Sequence, residues 1–196
     1  MAGTFTKLAV SDVATLMSRA VLPPEAQTTL QGCTDVGDAL DRLQAAGFAF
    51  EAVRMLAHAL PKREGVWWAC MCASNTAPRD LSDDDELALE NAEQWVRQQK
   101  DALRREAMVH AEHGGFTTAE AWTGVAAFWS GDTLAPPGER EIPPLPEQTG
   151  TAVAAAVTLA SVRGDGKQYA ERLQRFLDSG RNILSGGTGR MPAETN

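Results

Sequence analysis

The chain has 196 residues, 43% of them hydrophobic, enough for one domain with its own core. Its 26 Asp and Glu against 18 Lys and Arg leave a formal charge of -8, which repels phosphate backbones and argues against nucleic-acid binding. No apolar window approaches the roughly 18 residues of a membrane-spanning helix, and residues 1–10 hold no apolar block of signal-peptide length, so no membrane association and a cytoplasmic setting are expected.

Helical spacing of apolar residues recurs along the chain, and strand alternation is nearly absent. Ser11 can cap a short helix over residues 12–20, stopped by Pro23-Pro24. Val36, Leu40 and Leu43 mark a helix over 35–46, with Gly47 as its stop. A third helix covers about 48–60, and Pro61 opens the next. That next helix carries Gly65-Val-Trp-Trp-Ala-Cys-Met-Cys-Ala73, apolar on all sides and so expected at the centre of the core. Cys70 and Cys72, two apart on a helix, cannot share a face to grip a metal. With Cys33 they make no disulfide framework and read as buried small hydrophobes.

Ser82 and Asp85 resemble a capping box, and Asp83 to Glu86 crowd the positive end of the helix dipole. Basic residues gather from Arg97 to Arg105, so one helix is expected from 83 to about 113, with i,i+4 pairs Glu93–Arg97 and Asp101–Arg105. Gly114-Gly115 ends it, and Thr117 or Thr118 caps a helix carrying Trp122, Val125, Phe128 and Trp129. Five prolines between 135 and 150 exclude a helix there. An alanine-rich helix follows over 151–162, then a last helix over about 167–184. The expectation is an all-α fold: one bundle of about seven or eight helices over residues 1–185, a proline-rich strap, and a flexible tail over 186–196.

Three places could carry chemistry. Glu106, His110 and His113 lie on one helical face and could hold zinc or iron in a metal-dependent enzyme. Histidines at a helix C-terminus also meet the negative dipole end, and the run is not His-Glu-x-x-His, so no metal is assigned. His58, Arg63 and Glu64 flank Pro61 and form either an acid–base site or a structural network. A small-molecule cavity beside Trp67 or Trp68 is a further alternative.

Pro143-Pro-Leu-Pro146 has the PxxP pattern and could offer an extended strand to an aromatic groove. As an ordered strap, it would instead tuck Ile142 and Leu145 against the bundle, and this placement is the expected one. No catalytic constellation and no cofactor motif stands out, and aromatic or proline-flanked apolar side chains are the places where another protein could dock. The candidate protein-binding residues are Trp122, Trp129, Ile142, Pro143, Leu145 and Pro146.

The run His58-Ala-Leu-Pro-Lys-Arg-Glu-Gly-Val-Trp-Trp-Ala69 resembles that of a bacterial all-helical family of unknown function, about 200 residues long. The resemblance covers about a third of the chain. It implies a helper role among accessory components of type VI secretion clusters, hence the expected role of a non-enzymatic adaptor or chaperone-like accessory protein that binds another protein, and it carries no catalytic residues over.

Overall fold

Side-chain caps set the first boundaries in the computed structural model, which describes residues 5–164, 166–192 and 194. Asp12 accepts from the Thr15 amide and starts α1 (Val13–Arg19), one residue after the expected Ser11. Pro23-Pro24 does stop α1, but Pro24 then serves as the first residue of α2 (Pro24–Thr29), where its missing N–H costs nothing. Asp35 caps α3 (Val36–Ala45), and α4 (Ala49–Ala59) and α5 (Lys62–Asn75) follow, joined at Pro61.

The expected helix 83–113 is two helices. Gln99 takes left-handed angles, φ 53° and ψ 29°, ending α6 (Asp83–Gln98), and α7 (Asp101–His113) runs back along it. The i,i+4 pairs Glu93–Arg97 and Asp101–Arg105 stand on either side of the joint, and no Gly or Pro marks the reversal. Thr118 caps α8 (Ala119–Trp129), and α9 (Gln148–Ser161) and α10 (Tyr169–Leu184) complete ten helices among the described residues, all-α as expected but two or three more than counted from sequence. No helix among the described residues is long and apolar enough to cross a membrane.

α5, α8 and α9 pack together at the centre, with the α6–α7 hairpin against α8 and with α4 and α10 against α9. Trp68 is fully buried, and its indole N–H donates to Phe176 O at 2.9 Å. Cys70 and Cys72 are fully buried too, and desolvation pushes both thiols up. α5 is not buried on every side, however. Trp67, Met71 and Asn75 form a half-buried stripe at helical spacing. The C-terminal segment lies along that stripe: Trp67 donates to Thr188 O and Asn75 to Pro192 O, while Ser179 donates to Gly189 O. Residues 186–192, part of the tail expected over 186–196, therefore supply the missing cover for α5, and residues 193, 195 and 196 of that expectation lie outside the described residues.

Candidate functional site

Arginines on α7 hold the proline-rich segment. Arg104, 3% exposed, donates to Phe128 O (3.0 Å) and Thr133 O (2.8 Å) and pairs with Asp101. Arg105 donates to Ala135 O and to Asp101, both at 2.6 Å. The two guanidinium carbons stand 5.3 and 5.9 Å from the Phe128 ring centroid, within cation–π range. The sequence pattern placed these cations within one helix running from 83 to about 113; the reversal at Gln99 turns them onto the loop instead.

The loop also ties to itself. Leu134 N donates to Ile142 O at 2.7 Å, Ile142 N to Thr133 Oγ1 at 2.9 Å, and Leu145 N to Gln148 Oε1 at 2.7 Å. These bonds use the backbone and turn the side chains outward. Ile142 is 58% exposed and Leu145 59%, so the expectation that both tuck into the bundle is wrong. Pro143 and Pro146 are exposed beside them. The strap exists, but its apolar side chains face away from the core.

Trp122 and Trp129 are half-buried, edge to face with centroids 6.4 Å apart. The Trp122 indole N–H donates to Phe116 O, and Trp129 O at the root of the loop accepts from Thr149.

At the far end of the α6–α7 hairpin, Asp84 takes the position expected for Glu106. Its Oδ1 lies 2.8 Å from His110 Nδ1 and 3.5 Å from His113 Nδ1, whereas Glu106 reaches His110 only at 3.8 Å. The hydrogen bond with His110 holds the Asp84 carboxyl below its usual range. Asp84, His110 and His113 can place one ligand atom each within 4.8 Å of the others, a donor set suited to zinc. The same contacts also satisfy two helix ends electrostatically. Asp84 was legible only as a helix-start acid, because nothing marked the turn that brings His110 to it.

His58, Arg63 and Glu64 do not converge. Arg63 Nε donates to Val96 O at 2.7 Å, and Glu64 pairs with Lys7 at 3.5 Å. Both line an open cleft of about 290 Å³ with Trp67 and Arg97. His58, 7% exposed, lines different cavities with Arg19. Trp68 is sealed in the core, so of the two tryptophans offered as cavity walls, Trp67 alone lines an open space.

The model of a family of unknown function, DUF6931, matches residues 39–184, about three quarters of the chain. The chain belongs to this family. The DUF6931 match takes in the α6–α7 hairpin, the strap and the core helices α4, α5, α8 and α9. No curated protein and no solved structure matches the chain.

Proposed function

We propose that this DUF6931 protein is a non-enzymatic helical adaptor that binds another protein through the strap. One observation carries the reading: Ile142 and Leu145 project from a backbone already fixed by hydrogen bonds. Three prolines in the five residues 142–146 restrict φ to near -65°, so little entropy remains to be lost on docking. Exposed Glu139 and Glu141, with exposed Arg140 between them, and half-buried Glu147 leave a net negative flank beside the apolar pair. The chemistry fits a partner with an aromatic-lined groove and a basic rim. Trp129, half-buried at the root of the loop, widens the apolar contact. The likeness of residues 58–69 to accessory components of type VI secretion clusters supports seeking this partner among the proteins of such a cluster.

The test is differential capture. A partner retained by the native chain should be lost with Ile142→Asp/Leu145→Asp and kept with Val21→Asp, a change at a still more exposed apolar residue elsewhere. Capture that ignores the double substitution rules the strap out.

A second reading, a metal-dependent enzyme, is favoured by the convergence of Asp84, His110 and His113. Metal analysis of the purified protein, with His110→Ala for comparison, decides it. Absence of bound zinc or iron at equal stability removes this reading.

A further inference from the structure

We propose that Arg19, Arg54 and His58 form the polar head of a cleft that binds a small ligand joining a carboxylate to a short apolar chain. The site is separate from the strap and does not depend on its role. The cleft holds about 460 Å³, within the range of small-molecule sites, and lies where the end of α1 meets α4 and α9.

Its polar end is short of partners. Arg54 and His58 are i,i+4 on α4, and Arg19 is the last residue of α1. Arg54 Nη2 donates to Val21 O at 2.9 Å, which fixes the guanidinium at the rim and leaves its other N–H groups unused. Among the described residues, Arg19 makes no hydrogen bond or ion pair, and Arg54 has no carboxylate partner. Other partly or fully buried arginines of this chain, including Arg104, Arg163, Arg172 and Arg181, each meet a carboxylate. In a chain of net charge -8, two half-buried guanidiniums with no carboxylate partner at one cavity suit an anion.

His58 points the same way. It is 7% exposed, its side chain has no hydrogen-bond partner among the described residues, and its ring nitrogens are still reached by solvent, so they are open to a ligand in the clefts the ring lines. A Cβ at Gly150 would come within 2.2 Å of its Nδ1, so the ring lies directly on the α9 backbone. It lines this cleft and a second one beside Pro61. Burial, then Arg19 and Arg54, depress its pKa to about 4 against the opposing pull of Glu147, so at neutral pH the ring offers one N–H donor.

The opposite wall is apolar: Ala155 and Leu159 on α9, and Trp122. The Trp122 N–H is already given to Phe116 O, so its ring offers only carbon to the cleft. At the rim, Val21 is held at φ 48° with its side chain 72% exposed, an unusual conformation for a β-branched residue.

Titration of the full chain with sodium octanoate tests the assignment, read by tryptophan fluorescence and by the NMR signal of the His58 ring. Saturable binding that moves the His58 signal is expected. 1-Octanol, equal in chain and lacking the charge, should bind at least tenfold more weakly. Acetyl-leucyl-leucine, with the same carboxylate on a peptide, distinguishes a chain terminus from a free acid by which of the two binds tighter. Arg19→Gln/Arg54→Gln should weaken octanoate at least tenfold with the helical circular dichroism unchanged. Ala155→Leu, which touches no charge, should weaken it by filling the apolar end. Octanol binding as tightly as octanoate, no saturation at millimolar octanoate, or full affinity in both variants would overturn the proposal.

Discussion

Lowering the pH should destabilise the protein through His58, and substituting that residue should remove the effect. His58 is buried against Gly150 with a pKa of about 4, below the 6.5 of a free imidazole. The unfolded chain therefore binds the proton more tightly. Above pH 6.5 the ring is neutral in both states and contributes no pH dependence. As the pH falls from 6.5 toward 4, protonation favours the unfolded state and stability is lost. Linkage gives a loss of about 2 kcal/mol between pH 7 and pH 5, and about 3 kcal/mol over the whole window. The carboxyls held low by partners, Asp84, Asp101 and Glu194, lose their contributions at lower pH. They do so in both proteins alike. Urea unfolding of the native chain and of His58→Gln, each at pH 7 and pH 5, isolates the term. The variant should lose about 2 kcal/mol less than the native chain over this step. Equal losses in the two proteins would refute the burial and charge environment assigned to His58.

Three further outcomes follow from packing. A Cβ at Gly124 would lie 2.5 Å from Ala107 O on the facing helix, so Gly124→Ala should cost about 3 kcal/mol and lower Tm by roughly 6–12 °C, measured by thermal denaturation. Glu120 is fully buried, paired with Arg163, and its Oε1 has no hydrogen-bond partner among the described residues. Arg163→Ala should therefore cost about 3–5 kcal/mol in denaturant unfolding, whereas Glu120→Gln/Arg163→Met should recover a large part of it. Thiol labelling of the native protein should leave Cys70 and Cys72 unmodified until denaturant is added, because both are buried and their thiolates disfavoured.

The helices were legible where local chemistry is one-sided. Asp35, Ser82 and Thr118 each accept from a backbone amide three residues on, and each cap lies where the sequence pattern places a helix start. The reversal at Gln99 was not legible, since a left-handed glutamine carries no compositional mark and i,i+4 charge pairs stand on both sides of it. That one joint decides much of the site chemistry. It turns Arg104 and Arg105 onto the strap and brings His110 to Asp84 in place of Glu106. The strap itself was visible in its prolines, but the outward direction of Ile142 and Leu145 depends on bonds to Thr133 and Gln148 that no periodicity encodes. Arg54 and His58 did leave a trace. They are polar residues at i,i+4 on a helix whose remaining polar residue is Glu51, and although Glu51 stands i,i+3 from Arg54, no ion pair forms between them among the described residues.

Photo-crosslinking from position 145 tests the docking role of the strap most directly. A photoreactive residue is placed at 145, at 142, or at 116, where Phe116 is another exposed apolar side chain. Irradiation in the source cell should give one and the same protein adduct from 142 and 145 and none from 116. The adduct should disappear when Glu139 and Glu141 are both changed to Lys, because the partner's groove is expected to carry a basic rim. No adduct from 142 or 145, or the same adduct from 116, would contradict the assignment of this strap as the binding surface.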